Sequence, residues 1–493
     1  MTSTTHTRLS SSLRAALLPL VAALVLAGCA STAELSSGVS TPAQFKAQAS
    51  ATTAATATPV QAGGNWWRAF NDPALDALVG RAAAHNTSIQ QAAARLAEAR
   101  ALARTVDADR SVQVGLGAGA SRGAGRDRGD GSGVPGTLIT AGANVSWELD
   151  LFGKLSGASN AAALDAAARE ALLQSAKLAV QAEVAQRYLQ LRALDNERAL
   201  MRETVDAYRD TLNLSERRLR AGDLAELDVA RVQTELAATE SDALALDRQR
   251  AQLEHALAVL TGEVASQFGL RDAEWTTALP AIPAGLPSAV LARRPDVAAA
   301  QRSAQAAQAR LGVAQNAWLP NIALTGAGGY ASPELGDLFK WSARSWGIGA
   351  LLSLPLFDGG RREAGVQGAS AQLDGALASY REQVLVAFRD VEDQLSALRL
   401  LQDQSAVQAR AVASARRATV LSDARYRNGY VSQLDLLDAR RSELRNRRQA
   451  LAVKSAQYQA TVGLIRALGG GWEAPQPQTA VAAVAAATPA ASP

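Results

Sequence analysis

The residues best able to do covalent or metal chemistry are few. The chain has three histidines and one cysteine. His6 lies in the basic N-terminal stretch, and His85 and His255 stand singly on helical segments, with no second His or Cys at ligand spacing. Gly131-Ser-Gly-Val-Pro-Gly136 satisfies the G-x-G-x-x-G pattern by its letters. It falls between two strands with no helix after it, so it lacks the helix N-terminus that would hold a phosphate. Arg128-Gly-Asp130 spells an adhesion tripeptide but reads as loop chemistry in a Gly/Asp-rich hairpin. Carboxylates are plentiful, and most alternate with arginine along helix faces as solvated pairs. The expectation is therefore no catalysis, no metal and no cofactor. A net charge of +4 spread along 493 residues gives no basic patch for nucleic acid.

The single cysteine fits one chemistry. Arg8 and Arg14 precede an apolar run, Ala15 to Leu26, which leads into Leu26-Ala27-Gly28-Cys29. A basic segment, a short apolar segment and small residues make a secretory signal over 1–28, too short to span a bilayer. Leu26 to Cys29 fits a bacterial lipobox, which makes Cys29 the first residue of the mature chain, carrying a diacylglycerol and an acyl chain. As the sole cysteine it cannot close an intramolecular disulfide. By resemblance to bacterial lipoproteins, Ala30 in place of Asp favours the outer membrane. Beyond the signal no apolar run is long enough for a membrane helix, so any further crossing must use strands.

The elements that carry these residues are written twice. Ser111 to Ala120 is echoed by Asn321 to Tyr330, Trp147 to Gly153 by Leu352 to Asp358, and Ala221 to Asp228 by Asn428 to Asp435. Three pairs in the same order and in register, roughly 205 to 210 residues apart, make a duplication. Each half has an Ala-rich helix (about Asn86 to Asp109; Pro295 to Trp318), two strands, a very long helix (Gly157 to Ala221; Arg361 to Asn428) and a last helix to about Leu260 or Leu468. Gly222 and Gly429 supply the left-handed residue at the turn between the long helix and the last. The expected division is a signal (1–28), a lipidated linker (29–64), a first repeat (65–286), a second repeat (287–472) and a tail (473–493). A Pro-rich connector, Gly262 to Pro287, joins the repeats. Ser31 to Pro59 and Pro475 to Pro493 are Ala/Thr/Pro/Ser-rich with little to bury and read as disordered.

Lengths predict the packing. A helix of roughly 65 residues spans about 97 Å, and the two shorter helices, roughly 24 and 38 residues, together span about 93 Å. One long helix should therefore lie beside two short ones stacked end to end. Ala161, Leu164, Ala168, Ala171, Ser175, Leu178, Ala182, Ala185 and Leu189 follow 3-4 spacing, as do Leu377, Tyr380, Val384, Ala387 and Val391. This is coiled-coil packing through small side chains. Aromatic residues are only 4 %, which suits such seams better than a large globular core.

The strands alternate. Thr137, Ile139, Ala141, Ala143, Val145, Trp147, Leu149 and Leu151 share one face, opposite Leu138, Thr140, Gly142, Asn144, Ser146, Glu148 and Asp150. Trp346, Ile348, Ala350, Leu352, Leu354 and Leu356 do the same in the second half, with Leu351 an exception on the polar side. Period-2 alternation over about ten residues suits a lipid-facing barrel strand, and Trp147, Tyr330, Trp341 and Trp346 suit its interfacial girdles. Four strands cannot close alone, so copies must share a barrel of 8, 12 or 16 strands. A soluble sheet with one buried face is the competing reading. It lacks a partner layer, because the helices already pair with one another.

Asn65 to Leu75, Arg293-Arg-Pro-Asp-Val297, Pro355-Leu-Phe-Asp-Gly-Gly360 and Leu434-Asp-Leu-Leu-Asp-Ala-Arg440 resemble the TolC-like outer-membrane factor family, in its lipoprotein efflux branch (OprM/NodT type). The resemblance covers about Asn65 to Trp472. It implies a mainly helical, duplicated fold: an antiparallel coiled-coil barrel in the periplasm and four transmembrane strands per chain completing a 12-stranded barrel in a homotrimer. It implies a periplasmic adaptor and an inner-membrane pump, commonly of the resistance-nodulation-division class, as partners, and passage of small molecules such as drugs. It also places a gate at Leu434, Asp435 and Asp438, with helix-tip contacts at Tyr426 and Asp228. An arginine used by some members falls on Val431, so that latch differs here. A type I protein-secretion duct and a lipid-anchored periplasmic scaffold or adaptor are the alternatives; the second would be expected to carry a β-rich domain between its helical arms.

Overall fold

The computed structural model describes residues 37–46, 65–123, 136–280, 282 and 287–471. The expected signal, Cys29, Arg128-Gly-Asp130, the Gly131 stretch up to Pro135 and the tail 473–493 lie outside the described residues.

The first half runs α1 (Pro73–His85), α2 (Thr87–Ala108), β1 (Gln113–Gly123), β2 (Gly136–Leu149), α3 (Lys154–Arg220) and α4 (Glu226–Thr261). The second runs α5 (Pro287–Arg293), α6 (Pro295–Asn316), β3 (Asn321–Ser332), β4 (Arg344–Ser353), α7 (Arg361–Arg427) and α8 (Gln433–Ala467). The long helices α3 and α7 have 67 residues each, and α2 and α6 have 22 each. Left-handed glycines recur at one offset: 360 less 153, 429 less 222 and 469 less 262 are all 207.

Local signals explain the helix ends. Asp72 accepts hydrogen bonds from the amides of Ala74 and Leu75 ahead of Pro73, and Asn86 accepts from those of Ser88 and Ile89. Both are side-chain N-caps satisfying amides that a first turn leaves free. In each repeat the sequence pattern passes over one short helix, α5 in the second and α1 in the first. The thirteen residues of α1 lie just ahead of the longer Ala-rich run and are parted from it only by Asn86.

The length argument holds. α3 packs on both α2 and α4, α7 on both α6 and α8, and the halves join through α3 against α6 and α8. The short helices meet end to end: the Asn86 side-chain amide donates to the Leu260 carbonyl at 2.9 Å, and Arg294 does the same to Ala467 at 3.3 Å. In the expected seam Ala161, Ala168, Ala171, Ala182, Ala185 and Leu189 are buried, and Val384, Ala387 and Val391 in the second.

The strands form one antiparallel sheet in the order β1-β2-β3-β4, with β1 and β4 as free edges among the described residues. β2 stops at Leu149, two residues short of Leu151. There Asp150 turns outward, its carboxylate accepting from the amides of Leu155 and Ser156 at the start of α3. β4 stops at Ser353 rather than running to Leu356, since Pro355 has no amide for the ladder.

One further expectation is corrected: the linker is not structureless throughout, since Phe45 is buried in a cluster with Val290, Val391 and Leu464. Most carboxylate–arginine pairs are solvated as expected, with one buried exception. Arg192, Asp195 and Arg198 are buried where α3, α4 and the connector meet.

Candidate functional site

Register decides which side chains share a face of the sheet. Val114 pairs with Val145, Leu116 with Ala143, Ala118 with Ala141 and Ala120 with Ile139. Trp147 pairs with Leu324 and Leu149 with Ile322. Ile322 then pairs with Leu352, Leu324 with Ala350, Gly326 with Ile348 and Gly328 with Trp346. Directly opposed residues lie on the same face. A single apolar surface therefore runs across all four strands. The other face carries Gln113, Thr140, Asn144, Ser146, Glu148, Thr325, Ser345, glycines and alanines, with Leu351 and Leu138 its large apolar members.

Nothing among the described residues covers the apolar face. Leu116 is 88 % exposed, Ile348 84 % and Trp346 79 %. A soluble one-sided sheet would bury these side chains beneath its helices; here the helices pack on one another instead. Trp147 lies at the end of β2 nearest the helices, its indole N–H donating to the Arg110 carbonyl. Tyr330, Trp341 and Trp346 lie at the opposite end, where Tyr330 packs edge-on against Phe339 and the Arg344 guanidinium caps Trp341. Aromatic residues thus stand at both margins of the apolar band, as membrane interfaces favour.

The far ends of the helices carry the residues expected to form the gate. Both tip turns use one device. Gly222 (φ +82°) and Gly429 (φ +77°) adopt the left-handed conformation; Asp223 N–H donates to Arg218 O and Tyr430 N–H to Arg425 O, each at 2.9 Å. These bonds satisfy last-turn carbonyls and reverse the chain. Leu434 is 42 % exposed beside the second turn.

Asp435 has a definite local job. Its carboxylate accepts from the Ser432 hydroxyl at 2.7 Å and the Ser432 amide at 3.0 Å, and its own amide donates back to Ser432 Oγ. This is a capping box, and its Ser-x-x-Asp pattern was there to be read in the sequence. The hydroxyl hydrogen bond first, and then the amide, holds the carboxyl below the ordinary aspartate value. Asp438 points to solvent and pairs with Arg441 at 3.2 Å.

Tyr426 and Asp228 are not brought together within the chain. Tyr426 is buried, with the Arg218 guanidinium 4.9 Å above its ring, whereas Asp228 pairs with Arg231 on its own helix. Periodicity gave no signal for the bonds that do link the two hairpins. Gln433 donates to Ser215 Oγ at 2.8 Å in a buried position, Arg440 donates to the Ala207 carbonyl at 3.2 Å, and Arg441 pairs with Glu235. Further from the tip Arg447 reaches Glu203 at 2.9 Å and Arg448 reaches Glu197 at 2.7 Å. One arginine-rich face of α8 thus braces α3 and α4.

His85 and His255 stay apart from any ligand set; among the described residues no group of three or more His, Cys, Asp or Glu could hold a metal. No helix among them is long and apolar enough to cross a membrane.

The family model for outer membrane efflux protein matches residues 78–263 and 286–470. The chain belongs to that family. Among curated relatives it is 30 % identical to the cation efflux system protein CusC of Escherichia coli O6:H1, over 93 % of this chain and 99 % of that one. It is 33 % identical to the pyoverdine export outer membrane protein OpmQ of Pseudomonas putida, over 94 % and 98 %. Among solved structures it is similar to the outer-membrane channel OprN, with a TM-score of 0.83 at 31 % identity, covering 91 % of this chain and all of that one. The outer membrane protein VceC of Vibrio cholerae matches with a TM-score of 0.78 at 29 % identity, over 84 % and 100 %.

As a member of the outer membrane efflux protein family the chain is an outer-membrane efflux channel. Its sheet lies in the outer membrane with the apolar face toward lipid, and its helices form the periplasmic part. The family's members form channels and need no cofactor.

Proposed function

We propose that three copies of this chain close their sheets into one 12-stranded barrel and serve as the exit duct of a tripartite efflux system, taking small molecules from a periplasmic adaptor and an inner-membrane pump of the resistance-nodulation-division class. The observation that carries the reading is the uncovered apolar face on a sheet with two free edges. In lipid an unpaired edge leaves amides and carbonyls without water or partner, so β1 of one chain must meet β4 of the next. The relatives named for cations and for pyoverdine support a small-solute cargo rather than an exported polypeptide.

In this reading Cys29 bears the diacylglycerol and acyl chain that tie the mature N-terminus to outer-membrane lipid. The gate is the tip ring of Leu434, Asp435 and Asp438. Leu434 supplies a dewetted constriction, and repeated carboxylates about a symmetry axis focus a field that favours cations. Tyr426 acts inside the subunit, holding the second hairpin to Arg218 of the first, and Gly222 and Gly429 shape the tips. With Val431 in the arginine position, the Gln433, Arg440 and Arg441 braces take over the latch.

Planar-bilayer recording of the purified protein tests this. Discrete single-channel currents with cation preference are expected, and replacing both Asp435 and Asp438 with Ser should raise conductance and weaken that preference. A water-soluble monomer without currents would sink the channel reading; unchanged current and selectivity in the double variant would remove the two aspartates from the gate.

A further inference from the structure

The two repeats have equivalent bases but unequal means of filling them. In the first, Trp66, Phe70, Leu78, Ala82, Val184 and Leu257 share one core, and the Trp66 indole donates to Gln181 Oε1 at 3.3 Å. At the 207-residue offset the second repeat places Val391 for Val184, Leu464 for Leu257, Ala467 for Leu260 and Phe388 for Gln181. The aromatic residues of the connector that precedes α5, Phe268 and Trp275, are committed to the first core, although its Ile282 packs against both that core and the Phe45 cluster. Ala278 N–H donates to the Phe70 carbonyl at 3.1 Å and Thr277 Oγ1 donates to Asp72, both on the first repeat, while Trp275 packs 4.7 Å from Tyr458 of α8 within the Trp66 core. No aromatic from the connector fills the corresponding place in the second.

Phe45 fills it. This side chain, from a segment ahead of the first repeat, is 1 % exposed among Val290, Val391, Leu464 and Ala467, with its ring 6.4 Å from Phe388. Val39 packs alongside Val297, Val384 and Ala387, and the Lys46 amide donates to the Glu392 carboxylate at 2.6 Å. Every residue that corresponds by offset to Phe45's neighbours on α7 and α8 either lies in the Trp66 core, packs against it or bonds to Trp66 itself.

We propose that residues 37–46 are a strap that belongs to the second repeat, with Phe45 doing there what Trp66 does in the first, and that the strap clamps the base of the α7–α8 hairpin. The hairpin's two helices converge on Phe45 through Val391 and Leu464, while Leu434 lies at the other end of α8, about 45 Å away by helix rise. Losing the ring would leave a cavity between the two helices at the place where the strap touches both of them. The proposal does not depend on Leu434 being the gate, because the strap is read out at the base.

The test is amide hydrogen exchange on the full-length protein in detergent micelles, comparing wild type, Phe45→Ala, Phe45→Leu and Trp66→Ala. Phe45→Ala is expected to speed exchange in 384–398 and 458–470 by at least roughly tenfold while 177–191 and 251–263 stay as in wild type. Trp66→Ala should speed exchange in 177–191 and 251–263 and leave 384–398 as in wild type, while 458–470, whose Tyr458, Val462 and Ile465 also face the Trp66 core, responds to both variants. Phe45→Leu, which keeps apolar volume and serves if the alanine variant does not fold, should give a smaller change confined to the same second-repeat segments. Equal acceleration of both repeats, or no change in the second, in whichever Phe45 variant folds would overturn the strap.

Discussion

Arg192 Nη1 lies 2.9 Å from Asp195 Oδ2, with the two side chains only 6 % and 3 % exposed. The other oxygen of Asp195 takes Arg250 Nε at 2.8 Å and stands 3.4 Å from Arg198. One buried carboxylate thus anchors three arginines where the long helix, α4 and the connector meet. Asp272, on the rim, shows the balance there: burial alone would raise its carboxyl, and the charges of Arg198 and Arg250 outweigh it and hold it low.

Asp195→Ala should therefore be severely destabilising, by about 3–5 kcal/mol, because it strands buried guanidinium groups rather than merely deleting a contact. The denaturant midpoint of the helical circular dichroism signal measures it. A midpoint within error of wild type would mean that water reaches the cluster.

The sheet's two faces should respond oppositely to charge. Ile348→Arg, on the apolar face, should cost about 2–4 kcal/mol if it sits near the bilayer midplane, whereas Thr140→Arg on the polar face should fold normally and alter ion selectivity. Heat-modifiable mobility on gels reports the folded fraction of each. Equal tolerance at both sites would contradict the assignment of faces.

Gly469 at a base turn and Gly222 at a tip turn share a left-handed backbone but differ in crowding. Both have positive φ, so Ala at either costs about 1–2 kcal/mol. A Cβ on Gly469 would also meet the Arg293 carbonyl oxygen at 2.6 Å, while one on Gly222 meets nothing within 4 Å. Thermal unfolding should accordingly fall further for Gly469→Ala than for Gly222→Ala. Identical shifts would show that the base turn has room to move.

Asp435 gives the second hairpin tip a pH dependence. Its pKa is lowered in the fold relative to 3.8, chiefly by the Ser432 hydroxyl, so its contribution is fully present above the ordinary value and is lost as pH falls through the depressed one. Amide exchange at Gln433 to Leu436, corrected for intrinsic rate, should rise below about pH 4. Ser432→Ala should abolish that rise; a dependence that survives it would point to another group.

Much of the architecture was legible because periodicity is a local property. The 3-4 seam from Ala161 to Leu189, the alternation of β2 and the repeated Gly-turn segments each follow from residues near one another in the chain. They determined helix, strand and duplication without any tertiary information. The side of the capping box at Ser432 and Asp435 was equally local, yet the same aspartate carries two readings that spacing cannot separate.

What the tertiary structure alone decided was partnership between distant segments. Period-2 alternation says that Ile348 and Val145 each lie on an apolar face; only the register, through Gly326, makes it the same face. Nothing near Phe45 in sequence announces a pocket on α7 and α8, and nothing near Asp195 announces Arg250. Such contacts close loops of tens to hundreds of residues, and they are selected by shape and charge after the local elements exist. A sequence displays the elements; burial of a lone aromatic or a lone carboxylate is settled by whatever happens to pack over it.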